Sequence, residues 1–473
     1  MIRKIFCFIF IVFLCGLFVV AQTREEVYQK PLKTVLDEVA VRFNTKIVYN
    51  DTLLWDKIVQ YAPARISFDV EKTLYKVLGP FDLRFEKNGD TYEIKKFEYS
   101  NVSVQEGKEH LDLLLSSYNN SIDWEKRKVE IKSNILKKSG LSPMPQKTPL
   151  NPETKDKRVY KDYSVENVRI EVMPGVYMCG SLYKPTKIKG TAPAIICPHG
   201  HFPGPKVEEF DFTEHGRFRT DMQVRCAVLA RLGCIVFNYS MFAQGEMSYQ
   251  IPYSEHAIPF ALTMQLLTSI RVLDYISSLK DVDINRIGIT GASGGGTQTF
   301  NLAAVDDRIT LSVPAVMVSS YMPGGCPCET GMPIHYLDAG FNTCTPEIAA
   351  MTAPRPQLLI SDGTDWTQHN PVIEVPYLKT IYSIAGKPEN VEHVHLPYDL
   401  HDYGKNKRLP MYRFIAKHFN LNIKLIEDSN GNIDESCTIE PYQKMLFINS
   451  SAQLPANALR TVDDMKKQLK ALQ

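Results

Sequence analysis

The sequence predicts an α/β fold, a mostly parallel sheet with helices on both faces, preceded by a small α+β domain. Three observations lead to this prediction. Strand-like and helix-like segments alternate from Tyr160 onward, as they do when crossover helices join parallel strands. An apolar strand over residues 287–290 runs into a glycine-rich turn and then into a helix over residues 296–305. Residues 22–98 have a separate pattern of shorter strands and helices.

The composition is that of an ordinary globular protein. The chain has 473 residues, 44% of them hydrophobic, and a net charge of +1. This length allows two or three domains. The near-neutral charge argues against nucleic acid as a partner. One basic run, residues 126–138, is interrupted by Glu130 and is typical of a solvated helix face.

The first residues have the pattern of a secretory signal. Two basic residues precede an apolar stretch, residues 5–20, and Ala21 offers a cleavage position. A retained membrane anchor is the alternative, because the apolar stretch is long for a signal. The residues before Cys15 lack the small side chains of a lipoprotein signal. We expect residues 1–21 to be a signal peptide and the mature protein to be periplasmic or secreted, with no stable membrane insertion after cleavage.

Of the ten cysteines, eight lie beyond residue 21, and several of these are inside apolar runs typical of buried thiols. Cys326, Cys328 and Cys344 form one cluster in the sequence. Export permits disulfides, so we expect a structural pair in this cluster. A zinc site is the alternative, although no histidine has the usual spacing from these thiols.

The residues after the signal combine helices, strands and a hairpin in a short span. PLKTVLDEVAVRFNTKIVY predicts a helix and a strand at 46–49, and ISFDVEKTLYKVL predicts a strand at 66–68 and a helix at 70–78. LRFEKNGDTYEIK then predicts a hairpin around an Asn-Gly turn. This order over residues 22–98 resembles the secretin and TonB short N-terminal domain. The resemblance implies an interaction module of the Gram-negative periplasm with a protein partner in the cell envelope. A generic α+β domain is the alternative.

Residues 99–159 separate this domain from the main α/β domain. Within them, residues 103–139 have a helical pattern, and residues 142–157 contain several prolines and few apolar residues. The second pattern is typical of a surface linker, where we place the domain boundary. The main domain is then expected at residues 160–420, followed by a C-terminal extension at residues 421–473.

Gly291-Ala292-Ser293-Gly294-Gly295 is a G-x-S-x-G motif between the predicted strand and helix. In a nucleophile elbow of this kind, small residues permit a strained turn that projects the serine hydroxyl above the sheet. Ser293 is therefore the predicted nucleophile, and the Gly294 N–H is a predicted oxyanion donor. A plain glycine-rich turn before a helix is the alternative.

A serine hydroxyl is a poor nucleophile without a base and an acid that orients the base. In this type of fold the acid and then the histidine follow late strands. Asp362 and Asp365 come after the strand predicted at 357–360, and His401 comes after the strand predicted at 391–396. We expect His401 to be the base and Asp365 the acid, with Asp362 as the alternative acid.

The second oxyanion donor should come from the loop after the third strand of the sheet. In that loop, His199-Gly200-His201 allows the backbone to turn so that the His201 N–H points at Ser293. The alternative is that His199 and His201 bind a metal as an H-x-H pair, which would need a third ligand that the sequence does not identify. We expect no cofactor.

Several longer motifs accompany these residues: GVYMCGSLYKP, PAIICPHGH, RIGITGASGGGTQT, GGCPCE, APRPQLLISDGTDWT and LHDYG. Together they resemble the acetyl-xylan-esterase-like branch of the α/β-hydrolases. The resemblance implies an α/β-hydrolase fold and a serine esterase that removes acyl groups, such as acetyl, from plant polysaccharide such as xylan. It also implies a catalytic triad and two oxyanion donors, namely Ser293, Asp365 and His401 with His201 and Gly294.

Three other functions stay open. Glucuronoyl esterases of the wider group generally carry an arginine directly after the nucleophile, and Gly294 in that position argues against a uronate ester. Serine peptidases of the prolyl-oligopeptidase kind share the core but normally carry a propeller, and the first 150 residues show no blade repeat. A non-catalytic glycan-binding or sensor protein is the alternative outside the enzymes.

Overall fold

The computed structural model describes residues 29–60, 62–78, 81, 83–96, 102–201, 216–325, 327–330 and 343–473. The predicted signal peptide therefore lies outside the described residues. Contacts divide the chain into two units, Met1–Phe97 and Glu98–Gln473. In the described part of the chain, no helix is both long enough and apolar enough to cross a bilayer.

The smaller unit is an α+β domain. Its elements are β1 (Gln29–Pro31), α1 (Leu32–Arg42), β2 (Lys46–Val48), α2 (Asp51–Leu54), β3 (Ile58–Gln60), α3 (Ala62–Arg65), α4 (Val70–Leu78), β4 (Leu83–Asn88) and β5 (Thr91–Lys96). Strands β2, β5 and β4 form one sheet, and β1 pairs with β3. Apolar side chains of α1 and α4 pack with Tyr92 and Ile94 of β5 into a core of their own.

Most of the predicted pattern of this unit is confirmed, with one correction. The hairpin forms as β4 and β5 around Gly89, whose φ of 62° is the left-handed conformation that a two-residue turn needs. The strand predicted at 66–68 is wrong, and Phe68 is 99% exposed. These residues lead into α4, where Asp69 accepts a hydrogen bond from the Lys72 N–H at 2.8 Å.

The larger unit is built around one mixed sheet. Its first elements are α5 (Val104–Leu115), α6 (Ser121–Lys138), β6 (Glu153–Val159), β7 (Tyr163–Met173), β8 (Val176–Pro185), β9 (Ala192–Pro198), α7 (Thr220–Leu232), β10 (Ile235–Tyr239) and α8 (Phe260–Ser278). Its later elements are β11 (Val282–Ala292), α9 (Gly294–Val305), β12 (Leu311–Ala315), α10 (Pro327–Thr330), α11 (Thr345–Ala350), β13 (Gln357–Asp362), α12 (Glu374–Ile384), β14 (Val391–Leu396), α13 (Lys405–His418), α14 (Tyr442–Met445) and α15 (Val462–Ala471).

The strand order in this sheet is β14-β13-β12-β11-β9-β10-β8-β7-β6. Strands β9 to β14 run parallel, whereas β6, β7 and β8 extend the sheet in antiparallel pairs. A parallel strand covered on both faces should be apolar throughout, and every residue of β9 is buried. The predicted parallel sheet with helices on both faces is confirmed, with two apolar clusters forming its core.

The boundary predicted within residues 142–157 needs correction, because the contacts divide the chain at Phe97 instead. The predicted helical segment forms two helices, α5 and α6, which belong to the larger unit. Trp124 of α6 is fully buried, and Arg127 donates hydrogen bonds of 2.7 and 2.9 Å to the buried Glu347 of α11. The end of the predicted linker forms β6, which pairs with β7. The apolar face of α6 and the edge strand β6 are thus enough to attach the mostly polar residues 99–159 to the larger unit.

The C-terminal extension also belongs to the larger unit. Arg217 and Glu246 form an ion pair whose two side chains are fully buried. The extension contacts this pair. Arg217 donates a hydrogen bond of 2.6 Å to the Met445 carbonyl, and the Phe447 N–H donates to Glu246. The extension therefore supplies backbone partners to two buried charges. Further along, Met465 and Leu469 of α15 pack into the same apolar cluster as Ala194 and Ile196 of β9.

Candidate active site

Four loops meet where the parallel strands end. His201 follows β9, Ser293 follows β11, Asp365 follows β13 and His401 follows β14. In parallel sheets with helices on both faces, ligands bind at this carboxyl edge. The residues predicted as catalytic therefore all lie at the edge of the sheet where a site is expected.

Ser293 lies in a strained turn between β11 and α9. Its φ is 55° and its ψ is −127°, a combination that residues other than glycine rarely adopt. The Ser293 N–H donates to the Ala315 carbonyl of the neighbouring β12 at 3.1 Å. A Cβ on Gly295 would lie 2.5 Å from the carbonyl oxygen of Pro198, so no larger residue fits there. This is the geometry of a nucleophile elbow.

His401 is hydrogen-bonded to Asp365. The His401 Nδ1 lies 2.5 Å from Oδ2 of Asp365. The other carboxylate oxygen, Oδ1, accepts hydrogen bonds from the Thr367 N–H and hydroxyl, both at 2.6 Å. Because a carboxylate only accepts, His401 carries its proton on Nδ1 and presents Nε2 as the acceptor. The ring is also packed against Trp366, with ring centroids 4.7 Å apart. The pair is thus arranged as the base and orienting acid of a serine hydrolase.

The pKa of His401 is raised above its ordinary value of 6.5. Burial acts to lower this pKa, but the hydrogen bond and the negative charge of Asp365 outweigh burial. A raised pKa makes the imidazole a better proton acceptor, and it can return the proton later in turnover. The electrostatics therefore agree with the role that the geometry gives to His401.

Asp362, the alternative acid, has other partners. Its Oδ1 accepts from the Thr364 N–H at 3.0 Å, and its Oδ2 lies 3.2 Å from the Nζ of the buried Lys407. Lys407 reaches the carboxylate of Asp402 at 3.1 Å. Burial and the charge of Asp365 raise the pKa of Asp362 to about 7, and Lys407 opposes the rise. Asp362 therefore caps its own turn and ties it to the loop after β14.

The residues predicted to form the oxyanion hole lie beside Ser293. A Cβ on Gly200 would lie 3.0 Å from the Ser293 Cβ, so the backbone before His201 passes directly over the nucleophile. Gly294 is in the first turn of α9, where backbone N–H groups have no acceptor within the helix. Gly200 and Gly294 therefore both lie beside Ser293, where the predicted oxyanion hole would have to form.

The side chain of His201 has partners that the sequence did not reveal. Its Nδ1 lies 3.3 Å from Oε1 of Glu329, which is 3% exposed. Its Nε2 lies 2.5 Å from Nε2 of His256. A Cβ on Gly294 would lie 2.8 Å from two atoms of the His201 ring. The ring therefore occupies the space into which a side chain after Ser293 would point.

The H-x-H metal hypothesis is not supported, because His199 is fully engaged elsewhere. Its Nδ1 donates to the Gly200 carbonyl at 3.0 Å, and its Nε2 accepts from the Met241 N–H at 3.0 Å. Burial lowers the pKa of His199 to about 3. His199 is therefore a neutral residue that fixes the backbone under the oxyanion loop.

Within the described residues, two groups of side chains bring three ligand-type atoms within 4.8 Å of one another: His201, His256 and Cys328, and Asp362, Asp365 and His401. In the first group, Cys328 is disulfide-bonded, and thiolate rather than disulfide sulfur is the ligand that metals bind. In the second group, Asp362 is paired with Lys407, and Asp365 is hydrogen-bonded to His401. Hydrogen bonding and ion pairing thus account for both groups.

The disulfide expected in the cysteine cluster does not include Cys344. Cys344 is free and buried, and burial raises the pKa of its thiol. Cys328 is disulfide-bonded, and Cys326 lies outside the described residues. The Cys344 thiol serves as a small buried apolar group at the start of α11.

Comparison with known proteins identifies the family. The acetyl xylan esterase family matches residues 145–321. A solved structure named Methylesterase BT1017 is 39% identical, covers 96% of this chain and 99% of its own, and superposes with a TM-score of 0.71. The chain belongs to the same esterase family as this methylesterase. It is a carboxylic ester hydrolase with an α/β-hydrolase fold, as the sequence predicted.

Other relatives match over shorter parts. YtaP of Bacillus subtilis (strain 168), named as a hydrolase, is 26% identical over 185 residues, which is 37% of this chain and 59% of YtaP. The match thus spans less than two thirds of that curated relative. A glucuronoyl esterase from Solibacter usitatus is 17% identical, with 63% of this chain and 94% of that chain covered and a TM-score of 0.46. The methylesterase match, unlike these, extends over nearly the whole chain.

Proposed function

We propose that this protein is an exported serine esterase that hydrolyses carboxylic esters on plant polysaccharide through an acyl-serine intermediate. The observation that carries the proposal is the hydrogen bond between His401 and Asp365 at the same sheet edge as the strained Ser293. A nucleophile, a base and an orienting acid on three separate loops are what acyl transfer needs.

The expected reaction has two steps. In the first, His401 Nε2 takes the proton of the Ser293 hydroxyl as its oxygen attacks the ester carbonyl. The N–H groups of His201 and Gly294 stabilise the negative charge on the carbonyl oxygen. His401 then returns the proton to the departing alcohol. In the second step, water attacks the acyl-serine with His401 again as the base, and the carboxylic acid leaves.

Two ester types are compatible with this chemistry, and they differ in which half of the substrate becomes attached to Ser293. In the methyl ester of a uronic acid the sugar is the acyl group and methanol leaves. In an acetyl ester the acetyl group is transferred and the sugar leaves. We place the methyl ester first, because the relative that shares 39% identity over 96% of the chain is named a methylesterase. The acetyl ester of xylan is the second candidate, supported by the family match over residues 145–321.

This order reverses the sequence-based expectation, in which acetyl esters came first. Gly294 then argued against a uronate ester, because it stands where glucuronoyl esterases carry an arginine. That argument weakens once the His201 ring is seen to fill the space beside Gly294. A basic side chain thus lies next to the nucleophile, although it comes from another loop.

Product analysis tests the proposal and separates the two esters. Wild type and Ser293→Ala are incubated with methyl-esterified polygalacturonate and with acetylated xylan, and released methanol and acetate are measured. Methanol from the first polymer alone supports the methyl ester, and acetate from the second alone supports the acetyl ester. If wild type releases neither product and Ser293 also fails to react with a fluorophosphonate, the proposed function is wrong.

Export and the envelope partner form a separate part of the proposal. Residues 1–21 support export, and the resemblance of residues 22–98 to the secretin and TonB short N-terminal domain supports a protein partner. Fractionation of cells that produce the full chain with a C-terminal epitope tag tests export. We expect the tag outside the cytoplasm, and retention of the tag in the cytoplasm when residues 2–21 are deleted. A full chain that stays in the cytoplasm would contradict export.

A further inference from the structure

The surroundings of the His201 ring determine how many protons the ring carries. One ring nitrogen, Nδ1, faces the carboxylate of Glu329 at 3.3 Å. The other, Nε2, lies 2.5 Å from Nε2 of His256 and 3.0 Å from the sulfur of the disulfide-bonded Cys328. Each partner either accepts a hydrogen bond or donates one, so the protons can be assigned from one residue to the next.

His256 is the starting point. Its Nδ1 lies 2.6 Å from the carbonyl oxygen of Phe242, which can only accept. The proton of His256 is therefore on Nδ1. Burial and the nearby charge of His201 lower the pKa of His256 to about 3, so the ring is neutral and its Nε2 has a lone pair. The nitrogen that faces this lone pair, His201 Nε2, must then carry hydrogen.

Glu329 fixes the second proton. Its side chain is buried, and the Gly325 N–H donates to it. Burial acts to raise the pKa of Glu329, but its hydrogen bonds to His201 and to the Gly325 N–H act to lower the pKa, and the pKa is lowered overall. Glu329 is therefore a carboxylate, and the nitrogen facing it, His201 Nδ1, also carries hydrogen.

We propose that the His201 side chain is a stable imidazolium that adds a positive charge to the oxyanion hole beside Gly294. Glu329 and His256 are positioning residues that hold the ring in this state. The proposal rests on the proposed esterase function and adds a catalytic group to it. In an ordinary oxyanion hole only N–H dipoles face the developing negative charge, and here a full charge lies next to them.

The position of the ring supports this role. A Cβ on Gly294 would lie 2.8 Å from Cε1 and Nδ1 of His201, so this ring edge packs directly on the residue that donates to the oxyanion. Among the described residues, His199 near the ring is neutral, and the charge of His401 acts on Glu329. Glu329 is buried and the His201 side chain is 28% exposed, so both the carboxylate and solvent limit the cost of keeping an imidazolium there.

The test compares wild type with His201→Gln, Glu329→Gln and the double variant on nitrophenyl acetate. We expect each single substitution to lower kcat by about tenfold to a hundredfold with little change in KM. The double variant should be no worse than His201→Gln, because both substitutions remove the same charge. Thermal melting checks folding, and His418→Gln, at the end of α13, is the matched histidine control.

The pH profile gives a readout that a purely structural role would not change. In Glu329→Gln, the His201 ring has lost its counter-charge, so its positive charge beside Gly294 should be lost more readily as the pH rises. The kcat of this variant should then decline toward alkaline pH earlier than the kcat of wild type. Unchanged kcat and pH profiles in folded variants, or fully additive losses in the double variant, would overturn the proposal.

A spectroscopic measurement does not depend on the variants being active. In ¹⁵N-histidine NMR spectra of wild type, the His201 signals, assigned by their loss in His201→Gln, should show two protonated nitrogens at neutral pH. A neutral His201 would overturn the proposal. Inhibition by Zn²⁺ in the presence of a thiol reductant would also overturn the proposal if His256→Gln abolished that inhibition. The cluster of His201, His256 and Cys328 would then be a metal site.

The labelling of Ser293 separates this proposal from the proposed function. If a fluorophosphonate labels Ser293 and the His201 and Glu329 variants match wild type, only the imidazolium proposal fails. If Ser293 is unreactive and no ester is hydrolysed, the esterase function fails and the imidazolium proposal fails with it.

Discussion

His401 with Asp365 and His201 with Glu329 both join an imidazole to a buried carboxylate next to Ser293. The first pair is separated by 2.5 Å and the second by 3.3 Å. In both, the carboxylate faces Nδ1 of the ring. The difference lies at Nε2, which in His401 is presented as an acceptor and in His201 faces a neighbouring histidine nitrogen at 2.5 Å.

This difference shows how a histidine–carboxylate pair can act either as a base or as a fixed positive charge. A histidine whose Nε2 can accept a proton is able to exchange that proton in each catalytic cycle. A histidine whose Nε2 is held by His256 keeps its proton and can act only through its charge. The partner of the second nitrogen, more than the carboxylate, decides between the roles. The predictions below test this comparison.

The largest effect is expected from Ser293→Ala, which removes the predicted nucleophile at the same sheet edge as the two pairs. Loss of the attacking oxygen should lower kcat by about 10⁶-fold, as in other serine hydrolases with an intact oxyanion hole. Ester hydrolysis is measured at several enzyme concentrations. Ser278→Ala, at the end of α8, is the control and should keep full activity. A Ser293→Ala variant with more than a tenth of wild-type activity would remove Ser293 from the mechanism.

Asp365→Asn should break the first pair and leave the second intact. An amide can donate to His401 and so favour the wrong tautomer, and kcat should fall by about 10⁴-fold. Asp362→Asn is the matched control at the same edge of the sheet, and its kcat should fall by only about tenfold because it contacts Lys407 rather than His401. Equal losses in the two variants would contradict the assignment of Asp365 as the acid.

Gly294→Ala should disturb the second pair and leave the first intact. The new methyl group would lie 2.8 Å from the His201 ring and 3.0 Å from Glu329, so the ring must shift. We expect kcat to fall by about tenfold to a hundredfold, with a lower melting temperature. In the double variant with His201→Ala, the space opened by the missing ring should restore part of the melting temperature but not kcat. Full recovery of kcat would show that the His201 ring has no role in turnover.

The smallest effect concerns the acid side of the pH profile of wild type. His401 must be neutral to accept a proton, so kcat/KM should fall as the pH drops through the pKa of His401. Because Asp365 raises that pKa above 6.5, the midpoint of the fall should lie above pH 6.5. His369→Gln is a control that should leave the midpoint unchanged. A midpoint clearly below 6.5 would mean that burial outweighs the carboxylate.

The first of the two pairs could be predicted from the sequence, and the second could not. Ser293 is marked by its glycines, and Asp365 and His401 follow strands whose apolar runs are visible, so their meeting follows from the order of elements. His201, His256 and Glu329 come from three segments that are far apart in the sequence and have no characteristic spacing, and Glu329 lies in the short helix α10. The one local sign was Gly294, whose lack of a side chain makes room for the His201 ring.

The fold was predictable to a similar extent. The strands of the sheet were recognisable because they are apolar along their whole length, as β9 shows. Residues 142–157 were taken for a linker because they contain several prolines and few apolar residues. The helix before them, α6, contacts the larger unit through few side chains, such as the buried Trp124 and the salt bridge of Arg127 to Glu347. Pairing between residues so far apart in sequence leaves no periodic signal.

The buried pair of Arg217 and Glu246 has a consequence for the time at which the protein can finish folding. Both charges depend on backbone groups of Met445 and Phe447, which follow Arg217 and Glu246 by 228 and 201 residues in the chain. A nascent chain that ends before them would bury two charges without these partners, at a considerable cost in free energy. We therefore expect the larger unit to complete its folding only after residues 445–447 have been synthesised and have reached this pair.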